Sequence, residues 1–255
     1  MAGEYVWTGF DYIGEPTPWN GTGKGAQGTW PSPKNSYFGI IDTAGFPKDS
    51  YYFYQSQWND EVNTLHILPA WNEDAVKKDS SGKVPVVVYT DAKKVELFFT
   101  DAKTGDKKSL GTKEFTQKQS NTQGYTYQYY EGTDKSGTEH KNLYLTWQVP
   151  YKAGTISAVA YGQDGQKISE EKLNGRTSVT TTGEKKNLKA TVDRDTIAAD
   201  GADLTYVTVD VTDKDGNIIP NAEDKVSFKV EGEGKLVGID NGRQDDHTSY
   251  QANSR

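Results

Sequence analysis

A tryptophan and three carboxylates near the start of the chain are the residues best suited to chemistry: Trp7, Asp11, Glu15 and Asp42. Ionised carboxylates accept hydrogen bonds from hydroxyl groups or work as general acid and base, and an indole offers a flat apolar face. Pairing Asp11 with Glu15 as acid and base fits their spacing poorly, because nothing upstream would position a substrate. The run Gly23-Lys-Gly-Ala-Gln-Gly28 matches a dinucleotide fingerprint only formally. That fingerprint works between a strand and a helix N-terminus, and the prolines that follow block a helix, so a surface loop is expected. Asp213-Lys-Asp215-Gly-Asn217 opens like a calcium loop, yet Ile218 and Asp224 stand where an EF-hand needs Gly and a bidentate Glu. A hairpin turn between Val211 and Ile219 accounts for the same residues. His66, His140 and His247 are far apart and form no ligand pair, and His66 within an apolar strand reads as a satisfied core or edge histidine. Tyr125, Tyr127 and Tyr129 share one strand face; stacking on sugar rings is open to them, but filling a half-buried sheet is their ordinary use.

The elements that must position these residues are short. Tyr5 to Phe10 reads as an apolar strand that ends in Asp11, Gly14, Glu15 and Pro16-Thr17-Pro18, which rules out a helix or a continued ladder there. After a loop come Phe38 to Asp42 and then Pro47-Lys-Asp-Ser50, a helix start leading into Tyr51, Tyr54 and Trp58 at helical spacing. This is one β/α unit, and a β/α barrel needs eight. Strands without helices follow: Leu65 to Leu68, Val84 to Tyr89, Val95 to Phe99, Tyr125 to Tyr130, Leu143 to Val149 and Thr155 to Tyr161. Asp101 to Asp106 and Gln163 to Gln166 read as hairpin turns, so residues 61–175 form a β-sandwich of immunoglobulin type. Residues 176–186 read as a linker or edge strand. Residues 187–255, with Leu204 to Val211 and Val226 to Val230 as strands, begin a second sandwich that has too few strands to close.

At this point the residues carry a resemblance. Glu4 to Trp19, Tyr37 to Asp42, Gly45 to Asp49 and the Tyr-rich helix to Trp58 resemble the last β/α unit of the catalytic barrel in glycoside hydrolase family 2, in the bacterial surface β-galactosidases that carry extra sandwich domains. The resemblance implies a mainly β chain: the terminal unit of a (β/α)8 barrel over residues 1–60, then two immunoglobulin-like sandwiches, the second truncated. It implies a retaining β-galactosidase whose two catalytic glutamates follow the fourth and seventh barrel strands and are absent from this chain. Met1 standing directly before an interior barrel strand marks the chain as a fragment, expected to be inactive alone. The resemblance makes Trp7 the wall of a sugar subsite, against barrel packing as the plainer role for a strand Trp. It leaves Asp11 and Glu15 either binding sugar hydroxyls or pinning the loop. The family's β-glucuronidases carry Asn-x-Lys as a uronate clamp where Ser36, Tyr37 and Phe38 stand here, which favours a neutral sugar such as galactose. Expected partners are β-galactoside glycans and the rest of the parent barrel, with self-association open to the exposed strand. No cofactor or metal is expected, and the location is extracellular or cell-surface. The competing class is a noncatalytic sandwich segment that binds glycan or acts as a spacer.

Composition agrees with thin β domains. The 255 residues are 33% hydrophobic, with 26 Gly and 9 Pro, and the mean hydropathy is -0.82. The net charge of -7, without a basic stripe, disfavours nucleic acid or an anionic membrane as partner. With no Cys there is neither a disulfide nor a thiolate nucleophile. The longest apolar run, Val84 to Tyr89, is too short to cross a bilayer.

Overall fold

The computed structural model of the chain describes residues 5–15, 33–121, 124–133 and 139–255. The Gly23 to Gly28 motif and Trp19 lie outside these residues. Two compact units emerge: residues up to Trp58 together with Lys225–Arg255, and Asn59–Asp224.

The second unit is the β-rich one. Its strands are β1 (Asn63–Leu68), β2 (Lys83–Thr90), β3 (Lys94–Asp101), β4 (Lys107–Glu114), β5 (Thr116–Gln119), β6 (Thr126–Thr133), β7 (Glu139–Asn142), β8 (Leu145–Pro150), β9 (Gly154–Tyr161), β10 (Leu173–Asn174), β11 (Ser178–Thr180), β12 (Asn187–Val192) and β13 (Val207–Thr212). Two four-stranded sheets, ordered β10-β1-β2-β8 and β11-β9-β3-β4, contribute to one core. The alternation expected of a sheet with one wet face is present: in β3 Val95, Leu97 and Phe99 are buried and their neighbours are not, and β9 repeats the pattern with Ile156, Ala158 and Ala160. Trp71 is fully buried, and its indole N–H donates to the Lys152 carbonyl at 2.9 Å, so its one polar atom is satisfied. Each such apolar side chain taken out of water contributes roughly 1.5–3 kcal/mol.

Several expectations change here. The strand expected from Leu143 starts at Leu145, and Leu143 is exposed. Strands β5 and β7 have no apolar residue and β4 only Leu110, so they left no apolar pattern; β12 alternates Leu188, Ala190 and Val192 with polar residues and is exposed at every position. Of the two readings open for residues 176–186, the structure takes the edge strand. Residues 178–180 are β11, paired antiparallel with β9, and Val179 is in the core. Arg176 reaches back to His66, its backbone N–H donating to Nδ1 at 3.2 Å, so the histidine is buried and satisfied. The tyrosines of β6 form a row, Tyr125 to Tyr127 at 6.3 Å and Tyr127 to Tyr129 at 6.0 Å, with Tyr129 buried and the Lys141 ammonium 4.9 Å from its ring. Asp213 to Asn217 is the expected turn: the Asp213 carboxylate accepts backbone N–H bonds from Asp215 and Asn217 within the loop, and from Gly183 outside it. These bonds lower its pKa to about 2, the Gly183 bond foremost.

The first unit is held by loops around one helix, α1 (Asp49–Trp58). It starts where expected, with an acidic residue in its first turn, favourable against the helix dipole. Tyr54 and Trp58, one turn apart, pack at 4.8 Å between ring centroids. The strand expected over Tyr5–Phe10 is not a regular strand. Phe10 makes a single parallel bridge to Ile41, with hydrogen bonds from Ile40 to Thr8 and from Ile41 to Gly9. Its other edge finds no sheet partner among the described residues, and an isolated two-stranded pairing is marginal. Of residues 187–255, β12 and β13 fall in the second unit and residues 225–255 in the first. There Val226 to Val230 forms only an isolated bridge, Ser227 to Ser254. Contacts distant in sequence tie this segment to the start of the chain: Lys34 donates its backbone N–H to the Gln244 carbonyl at 2.9 Å, the Gln244 amide donates to the Asn35 carbonyl at 3.1 Å, and the Lys34 ammonium lies 4.5 Å from the Tyr250 ring centroid. The buried Arg255 guanidinium pairs with Asp246 at 2.8 Å and Asp240 at 3.3 Å.

Candidate functional site

The pairing of residues 8–11 with 38–41 sets the geometry of the candidate site. Asp11 is 5% exposed. Its backbone N–H donates to the Ile41 carbonyl at 2.8 Å, one carboxylate oxygen accepts from the Gly39 N–H at 2.8 Å, and the other meets the Lys48 ammonium at 2.6 Å. Gly39 has no substitute here, since a Cβ would sit 2.2 Å from the Asp11 nitrogen. Lys48 extends the lattice: it also donates to the Tyr37 carbonyl at 3.0 Å and lies 4.4 Å from the Tyr37 ring centroid. The Asp11 carboxylate thus lies inside the unit, against Gly39 and Lys48.

Trp7 is 71% exposed. The peptide between Trp7 and Thr8 is cis. The Trp7 indole and the Tyr12 ring make a T-shaped contact, 6.5 Å between centroids and 86° between planes, and Tyr12 in turn meets Phe38 at 5.8 Å. Tyr12 is fixed through its backbone by Ser36: the Ser36 N–H donates to the Tyr12 carbonyl at 2.9 Å, and the Tyr12 N–H donates to the Ser36 hydroxyl at 3.0 Å. Ser36 is fully buried. The Tyr12 hydroxyl donates to the Glu15 carboxylate. That bond is the main reason the Tyr12 hydroxyl titrates above its ordinary value, while the Trp7 indole acts on the same hydroxyl in the opposite direction. Trp7 and Glu15 are therefore brought together through Tyr12, and Asp11 has separate partners.

Asp42 serves the turn that precedes α1. Its carboxylate accepts the Ala44 and Phe46 N–H groups, each at 2.9 Å. Burial pushes its pKa up against those bonds, and the nearby Asp240 adds to the rise. Gly242 leaves it room, at a φ of 70°, where a Cβ would meet the Asp42 oxygen at 2.2 Å. Among the described residues no group of three His, Asp or Glu converges as a metal site. The sequence did not single out Lys48, Tyr12 or Gly39. The motifs around them were visible, but a contact across 37 residues, as between Asp11 and Lys48, leaves no periodic signal.

Comparison with known proteins places this geometry. Residues 188–255 match the family model of glycoside hydrolase family 2 C-terminal domain 5, and residues 81–169 match a family described as a domain of unknown function. A β-galactosidase of Bacteroides ovatus is 36% identical over 242 residues, 95% of this chain and 22% of that protein. A protein of Formosa agariphila named as a putative β-glucuronidase is 33% identical over 97% of this chain and 20% of its own length. Among solved structures, a glycosyl hydrolase family 2 member from Bacteroides cellulosilyticus superposes with a TM-score of 0.67 at 27% identity, over 98% of this chain and 30% of that one. The chain thus spans about a fifth of the length of these two curated relatives. Taken with the paired segments around Trp7 and the sandwich that follows, these matches identify the chain as resembling the C-terminal part of a glycoside hydrolase family 2 enzyme.

Proposed function

We propose that this chain is part of a retaining β-galactosidase in which Trp7 walls a sugar subsite and the β domains support the catalytic barrel. The single observation that carries the reading is the exposed indole of Trp7, 71% open and in a T-shaped contact with Tyr12. An indole face suits the C–H face of a galactose ring. Residues 5–58 are then the last β/α unit of a (β/α)8 barrel, and the sandwich and β12–β13 belong to immunoglobulin-like domains. The two catalytic glutamates of the retaining mechanism lie in the rest of the parent, so this chain alone does not hydrolyse glycosides. Asp11 serves the subsite by holding the loop through Lys48 and Gly39. The parent acts outside the cell or on its surface on β-galactoside glycans.

A neutral sugar is favoured because Ser36, Tyr37 and Phe38 carry no charge to meet a carboxylate, and Ser36 is buried against Tyr12. The likeness to the Bacteroides ovatus β-galactosidase supports the same choice. The test is hydrolysis of chromogenic β-galactoside and β-glucuronide by the chain mixed with the missing portion of the parent. We expect the galactoside to be turned over with the higher kcat/KM; a preference for the glucuronide would overturn the assignment of the sugar.

A further inference from the structure

Resting on the reading of Trp7 as a sugar wall, we propose that Tyr12 and Glu15 form a positioning relay that fixes the plane of the Trp7 indole, with Glu15 acting through Tyr12 rather than as a ligand for sugar hydroxyls. An exposed tryptophan without support samples several rotamers, and a sugar that binds it must first arrest them. Here Tyr12 gives that support. Tyr12 meets the indole in a T-shaped contact at 86°, and its own ring is backed by Phe38. The Tyr12 main chain is clamped from both sides by Ser36, so the phenol is the fixed post and the indole the part being held.

Glu15 completes the relay. Its carboxylate accepts the Tyr12 hydroxyl hydrogen bond, which sets the rotation of the O–H. The backbone of Glu15 has a φ of 45°, a region that residues with a Cβ rarely enter, and the tie to Tyr12 accompanies that conformation. One oxygen of the exposed Glu15 carboxylate is thus tied to the phenol, and the relay assigns Glu15 to Tyr12.

The experiment labels the purified chain with 5-fluorotryptophan and records the 19F spectrum, in which the Trp7 resonance is identified by its loss in Trp7→Phe. Tyr12→Phe and Glu15→Ala are each expected to displace and broaden the Trp7 resonance while the other five stay in place. Glu15→Gln, which keeps an acceptor for the Tyr12 hydroxyl, is expected to restore most of the original position. A Trp7 resonance unmoved by both Tyr12→Phe and Glu15→Ala would overturn the relay, and so would Gln behaving like Ala. If Tyr12→Phe disturbs all six resonances, the Glu15 pair decides, since those variants change only an exposed side chain. Because no sugar is present in this measurement, its failure is separable from that of the subsite reading, which the hydrolysis assay tests.

Discussion

At the scale of single residues the account turns on carboxylates with fixed partners. Asp11 is buried with Lys48, and removing one member of a buried ion pair leaves a desolvated charge behind. Lys48→Met is expected to destabilise the first unit by about 3 kcal/mol, read from a lower urea midpoint of the Trp fluorescence transition. Asp213 makes a second prediction, in pH. Its folded pKa of about 2 lies below the ordinary 3.8, so its bonds stabilise the folded state above the unfolded pKa, and that contribution is lost as pH falls from roughly 4 to 2. Asp213→Asn should therefore be less stable than the wild type at pH 6 and approach it near pH 2; equal differences at both values would contradict the assignment. The sequence made Asp11, Glu15 and Asp213 visible as carboxylates in loops. It showed the hairpin turn at Asp213, but left open whether Asp11 and Glu15 faced ligand or protein, because that depends on side-chain contacts with Lys48 and Tyr12.

At the scale of elements, legibility followed burial. Strands with one dry face, such as β3, β8 and β9, stood out by their alternation, because the core imposes it. Strand β4 did not, since nearly all of it is exposed. Its lysines instead place their ammonium groups over rings, Lys107 at 4.4 Å from Phe98 and Lys113 at 4.7 Å from Tyr130, their stems covering apolar surface that a pattern of hydrophobic residues would not show. Lysines along such an edge also discourage pairing with another sheet. Where β9 begins, packing is so close that the residue type is fixed: a Cβ on Gly154 would lie 2.2 Å from the Thr100 carbonyl oxygen and 2.7 Å from the Phe99 ring. Gly154→Ala is accordingly expected to destabilise the sandwich by about 1–3 kcal/mol or more, measured as a lowered Tm by circular dichroism. The short paired segments of the first unit were read as strands from their apolar residues, and the residues are apolar. What they lack is a second neighbour, which no local pattern reports.

At the scale of the whole molecule, the two units differ in how they bury their apolar residues. The sandwich encloses Trp71, Leu97, Leu145 and Ile156 almost completely. The first unit leaves Tyr5, Trp7, Phe10, Ile13, Tyr37 and Trp58 more than half exposed. An apolar surface of this kind calls for a cover, and on the reading proposed here the cover for part of it is the rest of a barrel, with Trp7 left to the sugar. The most direct test is hydrolysis of a chromogenic β-galactoside by the chain alone, by the missing portion of the parent alone, and by the two mixed, with Trp7→Ala as the variant. Activity is predicted only on mixing, and Trp7→Ala should lower kcat/KM by roughly ten- to a hundredfold, the equivalent of one large apolar contact. Hydrolysis by this chain alone, or a Trp7→Ala mixture as active as the wild type, would contradict the account.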